Sequence, residues 1–222
     1  MARTRDRLRG TETHRYLVSP PDTRPPRRPL SSAMAFTVGE LILGSLLLAL
    51  AAAWARWRAL PLGPSLHPTP GGLAVGLAAS LPACALLLVL ASPRARRWPG
   101  VAHLQDTLSF IRDLLSPVAW WQILIIAAMA GLSEEVLFRG VVQLEFGLIA
   151  AAVLFGLCHP LSVGYVVYAT VLGVYMGLVA KASGGIAAPV VAHAVYDAVV
   201  LWYLTRRWQA PDAPERETPS AM

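Results

Sequence analysis

The stretch AWWQILIIAAMAGLSEEVLFRGVVQLEFG, residues 119–147, decides the fold. It opens on Trp120 and Trp121, which read as interfacial anchors, and runs apolar from Ile123 to Leu132. It then places Glu134, Glu135 and Arg139 inside the same helical span. An ionisable side chain at the centre of a span costs about 2.5–3.5 kcal/mol on insertion scales, so such residues are functional candidates by default. The rest of the chain agrees with a membrane reading. Of 222 residues, 55% are hydrophobic and 14% charged, and mean hydropathy is +0.53. A soluble domain carries about 25% charged residues, and a disordered chain lacks this apolar content. The expected fold class is all-α. It is a polytopic helical membrane bundle with about six transmembrane or re-entrant helices and one interfacial helix.

Working outward, two earlier spans are expected at 35–54 and 72–91, joined by a Pro-rich turn. Glu40 lies near one end of the first, where it is expected to reach headgroups. Leu104, Leu108, Ile111 and Leu115 recur at helical spacing, which predicts a helix over 101–116 lying on the membrane surface. Pro117 starts the third span, and apolar runs follow at 148–158, 164–180 and 185–203. The run at 148–158 spans fully only if residues 144–147 continue it. Residues 1–33 are expected to form a disordered basic segment, 34–206 the membrane domain and 207–222 a flexible tail. Met34 opens the first apolar run and is expected to be the native start.

Six crossings put both termini on one side. The N-terminal arginines, Arg94, Arg96, Arg97, Arg112, Arg206, Arg207 and Arg216 would share it, so cytoplasmic termini in the plasma (inner) membrane are expected. A pI near 9.9 would point to nucleic acid in a soluble protein. No aromatic-interleaved basic motif supports that, so no nucleic-acid partner is expected. Eight of the nineteen basic residues are arginines within the first 28 positions. They fit orientation and anionic headgroups of the lipid bilayer instead. Cys84 and Cys158 form no disulfide framework. Cys158 beside His159 raises a thiol nucleophile, but its apolar setting gives no reason for a thiolate.

The costly side chains are regularly spaced. Glu135 and Arg139 lie four apart and can pair on one helical face, and Glu134, about 100° away around the helix, is free to face a cavity. His193 and Asp197 share the four-residue spacing, as do Phe155 and His159. Each has a bland reading alone: a solvated span boundary, or a histidine bonding two helices. Their joint occurrence beside Gly131, Gly140, Gly156 and Gly173, which allow close helix approach, predicts three helices converging on one buried polar site. Glu145, His67, His103 and His14 are read as structural or solvated.

The motifs in order are Glu134-Glu135-Val136-Leu137-Phe138-Arg139, Phe155-Gly156-Leu157-Cys158-His159 and His193-Ala194-Val195-Tyr196-Asp197. They resemble the EExxxR, FxxxH and Hxxx(N/D) signatures of the CPBP family, intramembrane proteases similar to the CAAX prenyl endopeptidases and also called the Abi family. The resemblance covers about 117–205. It implies an intramembrane endopeptidase acting on a membrane protein or peptide. Glu134 would be the base that activates water, His159 would help hold that water, and His193 and Asp197 would face the oxyanion. Glu135 and Arg139 would support them. Because the family is often labelled metalloprotease, zinc held by two histidines and carboxylates enters as an open alternative, although the HExxH motif is absent. Three rivals stand beside this reading. One is a non-catalytic immunity or peptide-binding protein on the same scaffold. Another is a haem carrier with His159 and His193 as axial ligands, and the last is a proton-coupled transporter relaying through Glu134 or Asp197.

Many family members carry Asn at the last motif position. An ionised Asp197 cannot donate to an oxyanion, so it is expected to orient His193. Asp197→Asn should therefore retain peptide cleavage. Abolished cleavage in a folded variant would show that the negative charge itself is required.

Overall fold

The structure, a computed structural model, describes residues 31–209. The expectations for residues 1–30 and 210–222 lie outside the described residues. Eight α-helices are described: α1 (Ser32–Arg58), α2 (Leu62–Ser65), α3 (Pro70–Leu90), α4 (Val101–Leu115), α5 (Trp120–Leu137), α6 (Gln143–Leu157), α7 (Val163–Ser183) and α8 (Ala187–Arg206). A 3-10 turn, Pro93–Arg97, leads into α4, and a π-helical turn, Phe138–Val142, joins α5 to α6. Five stretches among the described residues are long and apolar enough to cross a membrane: Ser32–Arg58, Pro70–Leu90, Trp120–Leu157, Val163–Ser183 and Ala187–Arg206. The fold is an all-helical polytopic bundle.

The first helix is longer than the expected 35–54. The Ser31 hydroxyl accepts from the Met34 N–H and caps a helix already begun at Ser32, satisfying a backbone donor the helix itself cannot. Ser32 and Ala33, which the sequence reading places in the disordered segment, belong to this helix, and the Ala33 side chain is buried. The other boundary moves too. Trp208 was assigned to the flexible tail, yet it is 6% exposed and its indole N–H donates to the Ala91 carbonyl.

Cross-helix contacts fix directions. Gln122 donates to Thr37 and Arg58 pairs with Glu145, so α1 and α5 run parallel. Arg206 donates to the Val118 carbonyl, so α8 returns antiparallel. Residues Ser32 and Arg206 thus lie at the same end of the bundle.

Trp120–Leu157 is long and apolar enough to cross a membrane but is not one straight rod. Gly147 has φ 84° and ψ 170°, in the region open to glycine and costly to any side chain. The chain turns there. Residues 144–147 therefore do not lengthen the following run, and Leu148–Leu157 forms a ten-residue return arm. At 1.5 Å per residue it reaches about 15 Å, half the hydrocarbon layer. His159, just past its end, is delivered to the interior of the bundle.

One feature differs from the sequence expectation in degree. Helix α4 has the predicted bounds within one residue, but its apolar face is buried against the bundle through Leu104, Leu108 and Leu115. Its Gln105 is fully buried and donates to the Leu90 and Ser92 carbonyls. These bonds anchor α4 to the end of α3.

Gly131 seats α5 on α8. A Cβ added there would lie 2.7 Å from the Ala194 backbone N and 2.9 Å from the Ala194 Cβ, neither of which can move aside without shifting a helix. Gly131→Val should destabilise the detergent-solubilised protein by about 1–3 kcal/mol, the usual cost of overpacking, read as a lower thermal midpoint. An unchanged midpoint would mean the two helices do not pack this closely.

Candidate active site

The end of α5 carries the cluster, and its three motif segments meet where the return arm and α8 come alongside. Glu135 is fully buried. Its Oε1 accepts from Arg139 Nη1 at 2.8 Å and lies 2.8 Å from His193 Nδ1. The i, i+4 ion pair read from the sequence is present. The bond to His193, 58 residues away, is new, and it makes Glu135 the carboxylate that orients that ring. Arg139 is used on every side. Nη2 donates to the Gly173 carbonyl at 3.0 Å, and Cζ stands 4.7 Å above the Phe155 ring. The π-helical turn at Phe138–Val142 begins beside this residue. Such one-turn departures from α-helical register recur at functional sites.

Glu134 points the other way around α5. One oxygen is 3.8 Å from His159 Nε2 and the other 3.9 Å from His193 Nε2. Both gaps exceed a direct hydrogen bond and suit one bridging water. Glu134 Oε2 is buried with no hydrogen-bond partner among the described residues. The orientation of His159 follows from its other contact. Nδ1 is 2.7 Å from the Phe155 carbonyl, which can only accept, so Nδ1 carries a proton and Nε2 is the nitrogen turned toward Glu134. The Phe155 ring lies 4.7 Å from the imidazole, centroid to centroid, as the four-residue spacing predicted. Asp197 Oδ2 is 3.4 Å from His193 Nε2. Asp197 thus faces the working nitrogen of His193, and Glu135 does the orienting assigned to Asp197 from sequence.

All six candidate residues, Glu134, Glu135, Arg139, His159, His193 and Asp197, meet in one place. Glu134, His159, His193 and Asp197 open into a cavity of about 590 Å³. Its floor is the apolar face of α4, including Leu108, Ile111 and Leu115. Three tyrosines also line it, Tyr165, Tyr168 and Tyr196, and the hydroxyls of Tyr168 and Tyr196 are hydrogen-bonded to each other.

Two further residues, Glu40 and Cys158, line the wall. Glu40 was assigned to the headgroups, but it lines this cavity. It lies eight residues, about 12 Å, into the helix that starts at Ser32. Cys158 lines the cavity as well. Its side chain is exposed, and no Lys or Arg of the described cavity wall stands there to favour a thiolate, so it is a poor nucleophile.

Two imidazole nitrogens and a carboxylate are suitable zinc donors in kind. Among the described residues, however, no three His, Cys, Asp or Glu side chains stand together at metal-binding spacing.

Residues 116–199 match the family model described as "Type II CAAX prenyl endopeptidase Rce1-like". A CAAX-protease-like domain is thus matched over part of the chain, the part that holds all three motifs. The chain is also similar to "Uncharacterized protein YpbD" of Bacillus subtilis (strain 168), 27% identical over 118 residues, 52% of this chain and 62% of that protein. It therefore spans less than two thirds of the length of that curated relative. No solved structure matches the chain.

Arg139 gives the sharpest structural test. A lysine can replace its charge but not its planar fork, so it cannot bond Glu135 and Gly173 together while stacking on Phe155. Arg139→Ala should destabilise by about 3–5 kcal/mol, because it leaves a buried carboxylate without its cation, and Arg139→Lys should restore only part. Full recovery of the thermal midpoint by lysine would show that charge alone is needed.

Proposed function

We propose that this protein is an intramembrane endopeptidase that hydrolyses a peptide bond of a membrane protein or peptide with water activated by Glu134. The observation that carries the reading is the position of the Glu134 carboxylate. It stands between two imidazole Nε2 atoms at 3.8 and 3.9 Å, on the wall of a cavity enclosed by apolar helices. The matched CAAX-protease-like segment supports the same reaction class.

In this mechanism a water held between Glu134 and His159 gives a proton to the Glu134 carboxylate as its oxygen attacks the substrate carbonyl carbon. The carbonyl π electrons move to oxygen, forming a tetrahedral oxyanion. His193, as an imidazolium between the Glu135 and Asp197 carboxylates, donates its Nε2–H to that oxygen. The C–N bond then breaks, and Glu134 returns its proton to the leaving amine. The Nδ1–H bond to the Phe155 carbonyl holds His159 with Nε2 toward the water. The Nδ1–H bond to Glu135 holds His193 in the same way, and Arg139 keeps Glu135 fixed. General-base catalysis contributes about 10²–10⁴ in rate, and a preorganised oxyanion donor about 10²–10³. The substrate's identity, and whether it is prenylated, does not enter these steps.

A plasma-membrane location with both described ends on the cytoplasmic side belongs to the same proposal. It rests on the arginines near that end, including Arg94, Arg96, Arg97 and Arg112. The rival on the same scaffold is a peptide-binding protein that cuts nothing.

Glu134→Gln keeps the shape of the side chain and removes the base. Membrane peptides compared between cells carrying the native protein and this variant should lose specific cleavage products, with cleavage reduced about 10²-fold or more. Identical profiles would favour the non-catalytic binding protein.

A further inference from the structure

Glu40 is the one acidic residue of the cavity that the proposed reaction leaves without a task. Its depth follows from its neighbours. One turn before it, Thr37 receives the hydrogen bond of Gln122. One turn after it, a Cβ on Gly44 would lie 2.7 Å from Met129 Sδ and 3.2 Å from Ser133 Oγ. Glu40 therefore sits on the α4 side of Glu134, about two helical turns away along the bundle. It shares the cavity wall with Glu134, His193 and Asp197.

An acidic side chain among apolar walls is ionised at low cost only beside a cation. The described cavity wall contains no Lys or Arg. The nearest buried guanidinium, Arg139, is held by Glu135 and by the Gly173 carbonyl. The rest of the wall near Glu40 is apolar, with Phe36 and Leu43 on α1 and Leu108 and Ile111 on α4. A cavity with apolar walls, an acidic group and no fixed cation fits an apolar occupant that brings one basic group.

We propose that Glu40 is a specificity-determining residue that pairs with a Lys or Arg side chain of the substrate, close to the scissile bond. This rests on the proteolytic reading above and deepens it. An extended peptide advances about 3.3 Å per residue, so with its scissile carbonyl at Glu134 it passes Glu40 about three residues away. The preferred substrate is an apolar peptide segment with a basic residue at that distance. The pair forms between largely apolar walls, where a charge contact discriminates more strongly than in open water.

The test uses the full chain reconstituted in phosphatidylcholine vesicles. The probe is a synthetic library of apolar peptides randomised at eight adjacent positions, with cut sites read by mass spectrometry. Peptides cut by the native protein should be enriched in Lys or Arg at one position within about four residues of the cut. Glu40→Gln should lower the kcat/KM ratio of basic over neutral peptides about tenfold, and Glu40→Lys should turn the preference toward Asp or Glu. Because the readout is a ratio within one sample, partial misfolding does not imitate it. A native cut pattern without basic preference, or one that Glu40→Gln leaves unchanged while Glu134→Gln abolishes cutting, would overturn the role of Glu40 alone. A library cut equally by native protein and Glu134→Gln would overturn the hydrolytic reading and this inference with it.

Discussion

A single carboxylate oxygen, Glu135 Oε1, holds this arrangement together. It accepts Arg139 Nη1 at 2.8 Å and lies 2.8 Å from His193 Nδ1. Arg139 in turn holds the Gly173 carbonyl. Three helices, α5, α7 and α8, are thereby tied through one group that solvent does not reach. The other oxygen, Oε2, is buried with no hydrogen-bond partner among the described residues, so the whole attachment runs through Oε1. Fixing Glu135 orients the His193 ring, and that ring's second nitrogen helps define the space in front of Glu134. The residues beside the proposed reaction are thus positioned by residues that take no part in it.

The same economy appears in the backbone. A full-length span after Gly147 would carry His159 past the polar cluster. The return arm of Leu148–Leu157 stops about halfway and leaves the imidazole beside Glu134. Shortening that arm leaves a gap beneath it, which α4 covers with Leu108, Ile111 and Leu115. The cavity follows from one glycine with positive φ and from one helix that is anchored by the buried Gln105. Polar chemistry is placed at one end of a space whose walls are otherwise hydrocarbon.

Much of this was legible in sequence, and for identifiable reasons. Helices were readable because long apolar runs in a membrane leave few alternatives. The local pairs, Glu135 with Arg139, Phe155 with His159 and His193 with Asp197, were readable because a four-residue spacing puts two side chains on one helix face. The Glu135–His193 bond was not readable, since no periodicity relates residues on different helices. Asp197 was therefore given the orienting task that Glu135 performs. Glu40 was missed because its depth depends on where a helix starts, and boundaries are the weakest part of a sequence reading. Trp208 was taken for tail because its partner, the Ala91 carbonyl, is distant in the chain.

What unites these features is a carboxylate kept in an apolar wall with two imidazole nitrogens facing it and room for a small nucleophile between them. The most direct measurement is peptide cleavage in heavy-oxygen water by the reconstituted native protein and by Glu134→Gln. The account predicts heavy oxygen in the new C-terminal carboxylate of the native product and almost no product from the variant. Labelled product formed by Glu134→Gln at the native rate would contradict it, because some other group would then be activating the water.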